Sequence, residues 1–365
     1  MRRGCFLVTL LGFLSTSAMA QFASMEDPTK GTLTVRDGMV SVLTYCFRDQ
    51  LKAGIDPKYT QSSYVHPLFS PDGQALTDDS PADHLHHHGL FWTWPVVLTR
   101  GVTTATWEPK LPRLRQFFVR WLKRETAGNS FLLDVENAWK LDGKEIVAKE
   151  KVALNIHPGE NSGRLIDFEL TIEAVGGSLE LQGTLDQNKG YGGLCIRGAP
   201  LFTGAALTTD KGPLKEDVVH MPFRWADIST REHGIAIFVS PDHPGFPTKW
   251  MIRNSYAGLV NVSWPGLTPV ILKPGEPIVL RYRIYVHRGD AAAAGIEAAY
   301  DRYVGKRAPD IPLSFILPRQ GGGIGFESGG RNFMSSDKSP WRRISVDPAD
   351  CDSWRGLALK KGQAR

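Results

Sequence analysis

The chain is poor in cysteine, with four in 365 residues, and no two of them stand in a C-x-x-C spacing. That excludes a disulfide scaffold and leaves a zinc–thiolate site without support. One bridge, Cys46 to Cys195, can be drawn; two buried thiols are the alternative. Long hydrophobic runs are missing as well. None comes near the roughly 20 apolar residues that span a bilayer, so no integral membrane insertion is expected. The G-x-S-x-G nucleophile elbow and the H-E-x-x-H metal helix are both absent, which removes two common hydrolase readings. No sign of charge dominates. The formal net charge is +5, with lysines and arginines spread through the chain, so nucleic acid is not an expected partner.

What is present begins with an export pattern. Arg2 and Arg3 precede a compact apolar run, Phe6 to Leu14, and Ala18-Met19-Ala20 closes it with an A-x-A cleavage pattern. Residues 1–20 therefore read as a secretory signal, and the mature chain is expected in the periplasm or outside the cell.

Short strands with turn punctuation fill the chain from Gly31 to about Val286. Leu33 to Arg36 alternates, Asp37-Gly38 turns, and Met39 to Phe47 follows. Phe131 to Leu141, the Asp142-Gly143 turn, Glu145 to Ile156 and Leu165 to Ala174 repeat the pattern, the last with an acidic outer face. Val218 to Trp225, Gly234 to Val239, Leu259 to Val262 and Ile278 to His287 complete it. Strands at this spacing, with Asp-Gly and Gly-Gly turns, predict an all-β antiparallel sandwich. Helix signals are scarce: Asp290 can cap one alanine-rich run, Ala291 to Val304, expected as a short C-terminal helix. Residues 31–305 read as one domain, and 317–365, glycine-rich and without periodicity, as a disordered tail.

The most unusual stretch is YVHPLFSPDGQALTDDSPADHLHHHGLFWTW. His66, His84, His86, His87 and His88 are five of the ten histidines, within twenty-three positions. Imidazoles titrate near neutral pH and suit proton transfer. His66, His86 and His88, with Asp83, are the acid/base candidates, His86 and His88 pointing to one face of an extended segment. Alternatively His84, His86 and His88 bind a divalent metal, with Asp83 or Asp79 as an oxygen ligand or its support. The plain alternative is a structural loop whose histidines bond to backbone and to Asp83. Trp92 and Trp94 can stack on sugar rings or fill a core.

Other polar clusters are weaker. Tyr191 and Arg197 flank the glycine-rich KGYGGLCIR turn, and SPDHPGFPTKWMIRN brings His243, Lys249, Arg253 and Asn254 around three prolines. These join Trp92 and Trp94 as candidate substrate contacts.

The motifs YVHPLFSPDG, DHLHHHGLFWTW, KGYGGLCIRGAP, GIAIFVSPDHPGFPTKWMIRN and LKPGEPIVLRYRIYVHRGD together resemble the PmoA-like family of bacterial proteins of unknown function, over about Gly31 to Val304. The methane-oxygenase label of that family does not fit, because particulate methane monooxygenase subunits are embedded in membranes and no spanning segment exists here. LKPGEPIVLRYRIYVH and the SPDHPGFP loop are also similar to galactose mutarotase-like aldose epimerases. That similarity implies a β-supersandwich whose concave face works on sugars with histidines and a carboxylate. No residue matches the epimerase glutamate; Glu276 belongs to a turn. The leading expectation is an exported enzyme acting on a carbohydrate as epimerase, lyase or hydrolase. A metal-dependent hydrolase or oxygenase and a non-catalytic glycan-binding protein are the alternatives.

Overall fold

A computed structural model describes residues 22–255, 258–307, 316–319, 322–327 and 342–345. The export signal lies outside them. The chain divides into two compact units, residues 1–300 and 301–365.

The first unit is an antiparallel sandwich, as alternating sequence and tight turns require. One nine-stranded sheet runs in the order Phe22–Asp27, Thr32–Asp37, Val40–Cys46, Tyr64–Leu68, Leu90–Thr93, Gly193–Arg197, Leu259–Ser263, Lys249–Arg253, Val218–Pro222. The facing nine-stranded sheet runs Gly212–Leu214, Ala206–Thr209, Trp225–Ser229, His233–Val239, Ile278–Arg288, Gly163–Ala174, Glu145–Ile156, Ser130–Leu141, Leu114–Ala127. The predicted Asp142-Gly143 turn is there, with both residues at positive φ (49° and 71°), the geometry a tight hairpin needs.

Three differences from the sequence reading have clear causes. The run Val218 to Trp225 is not one strand: Val218–Pro222 belongs to the first sheet and Trp225–Ser229 to the second, the chain crossing between them. Leu114–Ala127, a fourteen-residue edge strand, had no alternating signature because its outer half is exposed on both faces. The helix is Ile296–Arg307; Asp290 Oδ1 accepts from Ala293 N at 2.9 Å and so caps the turn preceding it. Ile296, Ala299 and Tyr300 are buried, as their spacing predicts. Most of 317–365 lies outside the described residues; Ile316–Arg319, Gly322–Glu327 and Arg342–Ser345 form a small sheet.

Period-two alternation gives the first sheet two different faces. Leu90, Trp92, Leu194, Ile196, Trp250, Ile252 and Val260 point inward to the main core, to which the second sheet contributes Trp139 and Phe168. Their neighbours Tyr64, Phe91, Cys195, Met251 and Leu259 point outward and, with Cys46 and Trp107, build a second apolar layer. Loops cover that layer, and the histidines sit in the cover.

Candidate active site

From Asp78 to His88 the chain makes successive tight turns instead of an extended segment: His84 N donates to Pro81 O at 3.0 Å, His87 N to His84 O at 2.9 Å, and Ser80 N to His87 O at 2.8 Å. The five histidines are thereby given different surroundings. The His84 and His87 rings stack at 4.5 Å, and His86 stands edge-on to His87 at 4.7 Å. Asp83 anchors the turn from outside: Arg197 Nη2, on the neighbouring strand, donates to its two oxygens at 2.9 and 2.8 Å, and His84 Nδ1 is 3.0 Å away. Arg197 also reaches His87 Nδ1 at 3.4 Å. Asp83 and Arg197 therefore position the segment and are occupied with each other.

The carboxylate on the catalytic candidate is Asp79, not Asp83. His88 Nδ1 lies 2.6 Å from Asp79 Oδ1, and Tyr64 OH donates to Asp79 Oδ2 at 3.0 Å. Burial raises the Asp79 pKa, but the hydrogen bond and charge of His88, with His66 and Tyr64, outweigh it and hold the carboxyl below its usual value. His66 Nδ1 is 3.1 Å from Thr77 Oγ1, and burial lowers its pKa, opposed by Asp79 and Asp78.

His86 and His88 both line a narrow surface cleft of about 10 Å³, room for about one water molecule, whose other walls include Tyr59, Glu108, Arg113 and Arg115; a ligand larger than water meets these residues at its mouth. Burial, reinforced by the neighbouring histidines, pushes His86 down to about 4, so it is neutral at pH 7. The approach of Glu108 Oε1 to His86 Nε2, 3.7 Å, is then not an ion pair at that pH. Because Nδ1 of His88 is taken by Asp79, Nε2 is the nitrogen left to exchange a proton with a ligand. Among the described residues no three His, Cys, Asp or Glu side chains are placed to hold a metal ion. For His84, His86 and His88 the reason is local: His84 turns to Asp83, while His88 turns to Asp79.

Several expected substrate contacts lie elsewhere. Trp92 and Trp94 are in the main core, packed on Phe168 (5.2 Å) and Trp139 (5.4 Å), and present no face to a ligand. His243 is buried, its Nε2 2.9 Å from Tyr282 OH of the second sheet, and burial lowers it to about 3. Arg253 and Asn254 gather on Asp217, at 3.3 Å from Nη1 and 2.7 Å from the backbone N. Lys249 and Arg253 share a strand three places from Leu90–Thr93 in the sheet order, roughly 14 Å at the usual strand spacing. Tyr191 does join the site's surroundings, its ring 4.9 Å from that of Trp107. Sequence reasoning missed Tyr59, Trp107, Glu108, Arg113 and Arg115. They come from the short 3-10 turn Pro57–Tyr59 just before the histidine segment and from residues 107–115 after it, and no local spacing marks them. Tyr64 stood two residues before His66, where alternation puts both on one face.

Residues 32–301 match a family of unknown function, DUF6807. The chain belongs to that family. The sequence reading likewise placed it in a family of unknown function, but the PmoA-like family named there is not the one matched. A comparison with curated proteins found no match. Among solved structures, a GalM/aldose epimerase homologue from C. elegans is 8% identical, with a TM-score of 0.33, covering 74% of this chain and 100% of that one. A galactose mutarotase related enzyme from Lactobacillus acidophilus is 8% identical, with a TM-score of 0.34, covering 73% of this chain and 97% of that one. Likeness at this level carries no argument about activity in this DUF6807 member. Its chemistry has to be read from the groove.

Proposed function

We propose that this protein is an enzyme that acts on a carbohydrate by histidine acid/base chemistry, of epimerase, lyase or hydrolase type. The observation that carries the reading is the 2.6 Å Asp79–His88 pair behind a groove that His88 and His86 line. A carboxylate on Nδ1 fixes the tautomer and orientation of an imidazole and stabilises the imidazolium formed when Nε2 takes a proton. His88 is then the base. His86, neutral at pH 7, is the second proton-handling group. Thr60 and Thr106 line the same groove; Thr60 Oγ1 donates to Pro57 O and Thr106 Oγ1 accepts from Trp94 N, which leaves each hydroxyl one hydrogen-bonding function for a polyhydroxylated ligand.

The test pairs a thermal-shift screen of neutral and oxidised sugars with turnover assays on whichever compounds raise the melting temperature. Turnover by the wild type, lost in His88→Gln with the melting temperature nearly kept, is expected. A His88→Gln variant that turns over normally would remove the assignment.

A further inference from the structure

Two arginines line the groove along with the histidines, and their guanidinium groups are not equivalent. Arg115 Nη1 and Nη2 reach the two oxygens of Asp49 at 3.1 and 3.2 Å, so its charge is matched. The Arg113 guanidinium donates to backbone carbonyls, from Nη1 to Lys58 O and from Nη2 to Thr60 O at 3.0 Å, while its backbone N donates to Asp142 Oδ1 at 2.7 Å. Among the described residues no carboxylate forms an ion pair with it. The carbonyls fix the group in place without cancelling its charge, and a guanidinium does not shed that charge by deprotonating. Burial and then Arg115 beside it work against the protonated form, and the charge of Asp49 works in its favour without outweighing them. An anion brought into the groove relieves both. Glu108, the one carboxylate among the residues lining the groove, stands 3.7 Å from His86; that imidazole is neutral at pH 7, so the Glu108 charge is not matched there and an anionic ligand has to outcompete it.

Resting on the acid/base reading of this same groove, we propose that its substrate is an anionic sugar unit, whose negative oxygens pair with the Arg113 guanidinium while the ring faces His86 and His88. The N–H groups that Arg113 does not spend on Lys58 and Thr60 can take two such oxygens side by side. A carboxylate and a phosphate share this chemistry.

Binding is measured by calorimetry for glucose, glucuronate and glucose 6-phosphate, and for galactose and galacturonate, at low and high salt. The wild type is expected to bind at least one anionic sugar about tenfold or more tightly than its neutral counterpart, with the preference shrinking as salt rises. Uronate preference without phosphate preference assigns a carboxylate; the reverse assigns a phosphate. Arg113→Gln should abolish the preference. Should that variant fail to fold, because the Lys58–Thr60 loop loses its clasp, Arg113→Lys keeps the charge without the fork and should retain only part of it. Equal binding of neutral and anionic sugars, or a preference that survives Arg113→Gln, overturns the inference. If neutral sugars bind and turn over through His88 without any preference for anions, this inference fails while the acid/base reading stands. If no sugar binds at all, both fail.

Discussion

Asp79 Oδ1 lies 2.6 Å from His88 Nδ1, while Asp83, four residues nearer in sequence, bonds to Arg197 instead. Two aspartates of one loop thus have different tasks, one orienting an imidazole and the other fastening the loop to the sheet. The first prediction separates them. Asp79→Asn should lower kcat by on the order of 10²-fold, in line with the usual worth of general acid/base help, and leave the melting temperature close to wild type. Asp83→Asn should loosen the segment, lowering the melting temperature with a smaller loss of kcat. Steady-state kinetics and thermal melts on both variants check this, and a reversed pattern would assign the roles the other way.

Trp92 is a core residue and should behave as one. Trp92→Ala empties the space against Phe168 and should cost about 3–5 kcal/mol of stability. Tyr59 lines the groove, so Tyr59→Ala should weaken ligand binding with little change in stability. Urea denaturation alongside ligand titration distinguishes the two.

The main core holds a carboxyl, Glu150, that accepts from Asn137 Nδ2 at 2.8 Å and Trp139 Nε1 at 2.7 Å. Burial raises its pKa from 4.5 to about 7 against those hydrogen bonds. The native state therefore keeps a proton that the unfolded chain has already lost, and stability falls as pH rises from about 4.5 to about 7. The total effect is on the order of 3 kcal/mol. Chemical denaturation between pH 4 and 8 should show this slope. Glu150→Gln should remove it, although the variant is less stable throughout because its amide NH₂ meets a donor.

Cys46 and Cys195 are free, buried thiols. Burial pushes Cys46 up to about 12 and Cys195 well above its ordinary value. Alkylation followed by peptide mapping should find both unlabelled in the native protein and labelled after unfolding in denaturant without reductant. Resistance to labelling even when unfolded would mean that they are bridged.

How far the sequence reaches is clearest in the strand Leu90–Thr93. Its aromatic alternation predicted a strand with two faces, and Phe91 and Trp92 do part to opposite sides. Which face met the main core depended on where the second sheet lies, and Phe168 and Trp139, more than forty residues away, made that choice. The histidine segment was legible as a cluster from composition alone. Its expected extended form was not adopted, yet His86 and His88 still reach one groove, because the turns bring them there.

The sequence by itself determined the β architecture, the Asp-Gly hairpin and the place where histidines gather, since alternation, turn chemistry and composition are local properties. Tertiary structure alone decided which aspartate meets which base and which of the two groove arginines forms an ion pair among the described residues. Asp79 and His88 meet because the loop between them folds back, and Arg113 shares the groove with His88 because an edge strand of the other sheet comes alongside. The first encounter closes a loop of nine residues and the second joins that loop to the start of an edge strand, and neither strand alternation nor turn chemistry carries information about them.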